Sequence, residues 1–139
     1  VALKRFSRDE LLGNIAKLVA ERSTCLRLQV GAILASEGRI ISMGYNGAPA
    51  GMIHCHETNC SPANICTRTV HAEANAIAFA ARKGIATEDS TLYTTHSLCN
   101  DCTKLVINAG IQRVIYWNAY RDFSPMMMLQ DLGIEVSQF

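Results

Sequence analysis

TLYTTHSLCNDCTKLVINAGIQRVIYWN, residues 91–118, reads as strand, helix, strand, with two cysteines at the helix start. Thr91–Thr95 is rich in β-branched and aromatic side chains, which suit a pleated, half-buried surface. Cys99–Ala109 carries apolar residues at helical spacing and stops at Gly110, the residue type that ends helices in a left-handed turn. Arg113–Trp117 is again strand-like. Strands alternating with helices imply a parallel portion of sheet that must be covered on both faces. The stretch therefore predicts an α/β fold.

Toward the N-terminus, Ala72–Lys83 is an alanine-rich helix closed by Gly84. Before it, Tyr45–Arg68 loses periodicity and reads as a long loop, a feature usually tied to function in a compact domain. Gln29–Ala35 and Arg39–Gly44 read as strands joined by a Ser36-Glu37-Gly38 turn. Ser7 and Glu10 form a capping box ahead of Leu11, Leu12, Ile15, Leu18 and Val19, which predicts a helix over residues 8–22. Toward the C-terminus, Ser124 is expected as N-cap and Pro125 at the first helical position, with Gly133 closing that helix and Ile134–Val136 as a last strand. The order is α-β-β-α-β-α-β-α-β, one domain over residues 1–139.

Apolar residues make up 49% of the 139 and charged ones 18%, which suits a packed core and argues against disorder. A net charge of +1 and a single Trp offer neither the basic field nor the aromatic groove that a polynucleotide needs, so no polynucleotide partner is expected. No apolar run approaches the ~20 residues that span a bilayer, so no membrane partner is expected either. Val1–Arg5 lacks the apolar core of a secretory signal. Six cysteines stand among four histidines, a pattern that favours metal binding in a reducing compartment over disulfides. The expected location is the cytoplasm, or the host cytoplasm for a viral source.

His71-Ala72-Glu73 opens one helix, and Cys99-Asn100-Asp101-Cys102 opens the next. Two cysteines three apart on a first helical turn aim both sulfurs at one spot, and the electropositive helix end favours thiolate. Three protein ligands (His71, Cys99 and Cys102) leave a zinc ion one position for water, the arrangement of a catalytic site. Two thiolates and an imidazole neutralise the ion, so its acidifying effect on water is weakened and a nearby carboxylate helps. Glu73, two residues from His71, is the candidate proton carrier. Cys-x-x-Cys alone is as often a structural half-site or redox pair, and His-x-Glu alone is common by chance. Together they form the signature of zinc deaminases.

With Gln29-Val-Gly-Ala32, Gly44-Tyr-Asn-Gly-Ala-Pro-Ala-Gly51, Val70-His-Ala-Glu-Ala-Asn-Ala-Ile77, Cys99-Asn-Asp-Cys-Thr-Lys104 and Ile107-Asn-Ala-Gly-Ile111, the chain resembles the deoxycytidylate deaminase branch of the cytidine deaminase superfamily. The resemblance runs from Thr24 to Val136. It implies a three-layer α/β/α sandwich on a five-stranded mixed sheet and the conversion of dCMP and water to dUMP and ammonia. It assigns Asn46 to the sugar, and Arg27, Tyr120 and Arg121 to the phosphate. Arg68 is a further candidate, although each arginine could equally be a solvated charge. It also implies a hexamer activated by dCTP and inhibited by dTTP. The effector segment would hold Gly47, Pro49 and Gly51, with Mg²⁺ accompanying the nucleotide. Phe79 and Arg82 would link it to the catalytic helix, unless they are plain core and a helix-end charge.

Leu98 departs from the family, which has proline there; the restored N–H needs a partner, and activity is expected to survive. The resemblance further implies a second, structural zinc on Cys25 and Cys55, completed by Cys60 and Cys66, with His54 and His56 as alternatives. Free cysteines packed as small hydrophobes are the competing reading. His96 is expected to be a hydrogen-bonding pocket residue. Two rival functions are a deaminase of tRNA or single-stranded DNA and a non-catalytic, zinc-stabilised nucleotide-binding regulator.

Overall fold

The computed structural model describes residues 1–61, 63 and 65–139. In chain order its elements are α1 (Arg8–Ala20), β1 (Gly31–Ser36), β2 (Arg39–Tyr45), α2 (Ala72–Arg82), β3 (Thr91–His96), α3 (Asn100–Asn108), β4 (Arg113–Asn118), α4 (Ser124–Asp131) and β5 (Glu135–Gln138). The long loop carries a 3₁₀ turn at Cys55–Glu57. The strands form one sheet in the order β2-β1-β3-β4-β5. β1 runs antiparallel to β2 and β3, whereas β3, β4 and β5 are parallel, so the sheet is mixed as expected.

Both faces of the sheet are covered. On β1, Ala32 and Leu34 join the core with α2, α3 and α4, while the alternate residues Ile33 and Ala35 face Leu12, Ala16 and Val19 of α1. Ile33, Leu34, Leu92, Val106, Ile111, Val114 and Leu129 are wholly buried. Two glycines allow the helices to sit close. A Cβ on Gly31 would lie 2.2 Å from the Ala16 carbonyl of α1, and one on Gly44 would lie 2.3 Å from the Ala72 carbonyl of α2.

The local signals act as chemistry requires. The Ser7 hydroxyl accepts from the Glu10 N–H (3.1 Å) and the Glu10 carboxylate accepts from the Ser7 N–H (2.7 Å), closing the capping box. Positive φ at both Glu37 (52°) and Gly38 (73°) suits the twist of the hairpin they join. On the α1 face, the Arg113 guanidinium donates to both oxygens of Asp9 (2.9 and 2.7 Å), Tyr93 donates its hydroxyl to Asp9 (2.7 Å), and Trp117 donates to the Gly13 carbonyl (2.9 Å).

Most element ends shift by one or two residues from the sequence reading, and three of the shifts concern a cap or a strand start. α1 stops at Ala20, with Glu21 as C-cap, two residues short of the expected end. β1 starts at Gly31 because the residues before it are bound by a side chain. The Asn46 amide oxygen takes the Val30 N–H (2.8 Å), and its NH₂ donates to the Leu28 carbonyl (2.7 Å). Ser124 is the first helical residue of α4 and not its cap. Phe123 occupies the cap position, and the Asp122 carboxylate supplies the acceptor for the Ser124 N–H (3.0 Å) and hydroxyl (2.6 Å).

Candidate active site and metal centre

The N-termini of α2 and α3 meet beside the end of β3. His71 is the N-cap of α2 and Cys99 the N-cap of α3, where its sulfur accepts from the Cys102 N–H (3.4 Å). Both residues hold extended backbone, so each projects its side chain ahead of its helix. His71 Nδ1 lies 3.4 Å from Cys99 Sγ and 3.5 Å from Cys102 Sγ. A tetrahedral zinc with bonds of about 2.1 Å to nitrogen and 2.3 Å to sulfur sets such edges near 3.6 Å, so the three donors fit that ion. Among the described residues they are the one group of three or more His, Cys, Asp or Glu with ligand atoms within 4.8 Å of one another.

The electrostatics suit a cation. Hydrogen bonds from Cys102 and His71 pull the Cys99 thiol down to about 4. Cys102 is pushed up, first by its hydrogen bond to the Cys99 thiolate and then by burial, so without a cation the pair keeps one proton. The Cys99 thiolate raises His71. A dication is what lets both sulfurs ionise together.

Glu73 sits in the first turn of α2, 5% exposed. Burial raises its carboxyl above the ordinary range, whereas its own backbone N–H, His71 and the Thr94 hydroxyl pull the other way. Thr94 Oγ1 is 3.3 Å from Glu73 Oε1. The described ion pairs include none to Glu73. A buried carboxyl with a raised pKa beside a cation-binding cluster is a candidate acid–base group.

A cavity of about 210 Å³ opens on this corner. It is lined by His71, Glu73 and Cys99 together with Asn46, Arg27 and Tyr120, so it gathers most of the residues expected from the sequence. Arg121 is exposed and does not line it. Asn46 reaches the cavity with much of its side chain already engaged by the Leu28 and Val30 backbone. Arg68 donates to the Ile53 carbonyl, which ties the long loop, and lines a neighbouring cavity with Arg27. Gly47, Pro49, Gly51, Phe79 and Arg82 lie outside the lining. Gly47 bridges to Val70, Pro49 and Gly51 shape an exposed turn, and Phe79 and Arg82 are exposed on α2.

Cys25, Cys55, Cys60 and Cys66 all border this same cavity, but they do not converge among the described residues into a second ligand cluster. Cys55 and Cys66 instead flank the Thr69 hydroxyl at 3.8 and 3.2 Å. The Thr69 hydrogen bonds hold the Cys66 thiol at about 7. His54 and His56 stack on one another at 5.7 Å. His96 is not in the cavity lining. Its ring stacks on Tyr120 (5.7 Å) and its Nδ1 meets Thr95 Oγ1 (2.8 Å), so it supports the wall from behind. Leu98 is buried, and its N–H finds the Met126 sulfur at 3.4 Å.

Two residues were not singled out from the sequence. Ser97 lines the cavity, and its Oγ accepts from the Tyr120 N–H (2.8 Å), which fixes that ring's loop. Thr94 lies beneath Glu73. Its alternation with Tyr93 along β3 was the available signal, but its acceptor sits on another element.

Comparison with known proteins agrees with this geometry. The profile of the cytidine and deoxycytidylate deaminase zinc-binding region matches residues 6–118. ComE operon protein 2 of Bacillus subtilis is 37% identical, over 98% of this chain and 73% of its own length. The deoxycytidylate deaminase of Enterobacteria phage T2 is 34% identical, over 88% of this chain and 87% of its own. The crystal structure of the cyanophage S-TIM5 dCMP deaminase in complex with dCMP and dUMP superposes with a TM-score of 0.88 at 33% identity, covering 99% of this chain and all of that one. Agreement in sequence and backbone along nearly the whole chain places it in the cytidine and deoxycytidylate deaminase family.

Proposed function

We propose that the protein hydrolyses dCMP to dUMP and ammonia, with Glu73 as proton carrier and zinc held by His71, Cys99 and Cys102. The observation that carries this reading is a buried carboxylate, without an ion pair among the described residues, lining the same cavity as the His-Cys-Cys cluster. The similarity to the cyanophage structure containing dCMP and dUMP supports the substrate. Zinc bound there supplies Lewis acidity, which makes water acidic near neutral pH.

The chain's own residues do the rest. Glu73 accepts a proton from the attacking water and passes it to N3 of the pyrimidine as the oxygen joins C4. The second water proton follows by the same carboxylate to the exocyclic amine. The C4–N bond then breaks, ammonia leaves and the C4 carbonyl forms. Asn46 and Tyr120 hold the sugar and the phosphate end, with Arg27 and Arg121 contributing charge. Regulation by dCTP and dTTP, with Mg²⁺, is assigned to the Gly47–Gly51 segment, with Phe79 and Arg82 as the link. A hexameric assembly accompanies it. A second zinc on Cys25, Cys55, Cys60 and Cys66 rests on the resemblance alone, because these four do not form a ligand cluster among the described residues; two zinc ions per folded chain would support it and one would remove it.

Ammonia release from dCMP, deoxycytidine and a single-stranded oligonucleotide tests the central reaction. Release from dCMP well above the other two, lost in Glu73→Ala, is the expected result. Preference for the oligonucleotide, or equal rates with Glu73→Ala, would refute it.

A further inference from the structure

Thr94 is wholly buried and does not line the cavity, which Glu73 does. The preceding alternate residue on β3, Leu92, belongs to the core under α2 and α3, so Thr94 faces the same layer. Valine would fill that position with the same shape and no group to satisfy. The single proton of the threonine hydroxyl instead lies between two acceptors, Glu73 Oε1 at 3.3 Å and the His96 carbonyl at 3.0 Å. Among the described hydrogen bonds, Thr94 is the side-chain donor on the Glu73 carboxylate.

From this placement we infer that Thr94 is a positioning residue, whose hydroxyl anchors one side of the Glu73 carboxylate to the sheet so that the other side is presented to the cavity. The inference rests on the deamination reading, in which one carboxylate must serve water, a ring nitrogen and a leaving amine in turn. Proton transfer requires each of these within about 2.6–3.2 Å of the carboxylate. A glutamate has three side-chain torsions, and packing of its methylenes alone does not set the last one. Thr94 touches neither substrate nor metal in this scheme, so its effect appears in the chemical step and not in binding.

The test uses the full zinc-loaded chain as wild type, Thr94→Val, Thr94→Ala and Thr94→Ser, with dCMP as substrate. Thr94→Val is expected to lower kcat about 10-fold, the scale of lost outer support around a site. KM for dCMP, dUMP affinity by calorimetry and zinc per chain should stay within about twofold of wild type. Thr94→Ser, which restores the hydroxyl, should recover most of kcat. Thr94→Ala replaces Thr94→Val if the latter does not fold. Unchanged kcat without the hydroxyl, an equal loss in Thr94→Ser, or a rise in KM at constant kcat would overturn the inference. Should the wild type itself leave dCMP intact, the deamination reading falls. The positioning role is then decided by crystal structures of the zinc-loaded wild type and Thr94→Val, and an unmoved Glu73 carboxylate refutes it.

Discussion

Tyr93 and Thr94 are consecutive on β3, and each gives a hydroxyl to a carboxylate, one on either face of the sheet. Tyr93 donates to Asp9 of α1 at 2.7 Å, and Thr94 to Glu73 of α2 at 3.3 Å. The donors are alike, but the acids differ in their cations. Arg113 grips both oxygens of Asp9, and that hydrogen-bonded pairing holds the carboxyl below its ordinary range. Glu73 is buried with no such partner, and burial drives its carboxyl up. The paired acid fastens a helix to the sheet. The unpaired acid costs stability and is kept ready to exchange a proton. One strand thus separates, by its pleat alone, an acid paired with an arginine from the acid proposed above as proton carrier.

Neutralising each acid should break the comparison most sharply. Glu73→Gln keeps the volume and removes the charge. Turnover of dCMP is expected to fall on the order of 10³-fold, within the range for loss of a general acid–base group. Zinc content should be retained and thermal stability equal or higher, because a buried unpaired charge is gone. A Glu73→Gln protein that turns over normally, or one that melts well below wild type, would show Glu73 to be a structural acid like Asp9.

The glycines under the two helices offer a smaller contrast. A Cβ at Gly31 meets the Ala16 carbonyl of α1, and a Cβ at Gly44 meets the Ala72 carbonyl and, at 2.6 Å, the Ala76 N–H of α2. These are backbone atoms, so the helix itself must shift, an overpacking cost of about 1–3 kcal/mol in either case. Only α2 carries His71 and Glu73. Gly31→Ala should therefore lose stability in urea while keeping kcat per folded molecule, whereas Gly44→Ala should lose both stability and kcat. Equal kcat in the two variants would mean that the seating of α2 on β2 does not set the site.

The parts of this architecture that could be read from the sequence are those whose chemistry is local. Ser7 with Glu10 announces a helix start, and His71-x-Glu73 with Cys99-x-x-Cys102 announces a ligand cluster, because a metal demands those residue types at helix beginnings. The slip at Ser124 arose because Asp122, two residues back, supplies the cap. What escaped the sequence was long-range. The start of β1 depends on an amide 16 residues later, where Asn46 takes the Val30 N–H. The Thr94 hydroxyl acquires meaning only once α2 has packed across β3. Four scattered cysteines could be assigned to a second metal by resemblance, yet their spacing does not say whether they converge, and the folded chain spreads them around one cavity.

Asp9→Asn is the mildest probe of the comparison, and its pH dependence carries the sign. The Asp9 carboxyl titrates lower in the folded chain than in the unfolded one. Unfolding therefore takes up a proton between the two values, and acid favours the unfolded state there. The stabilisation by charged Asp9 is complete above the ordinary carboxylate value of about 4 and is lost as pH falls through the lower folded value. The pair is partly exposed, with side-chain exposures of 30% for Arg113 and 36% for Asp9, so its contribution is expected to be about 1 kcal/mol. Urea unfolding of wild type and Asp9→Asn should differ by that amount at neutral pH, remain parallel down to about pH 4, and converge below it. The same variant should keep full kcat, since the acid it removes faces away from the cavity. A gap that widens on acidification would mean that Asp9, like Glu73, is held against its charge, and the division of labour across β3 would fail.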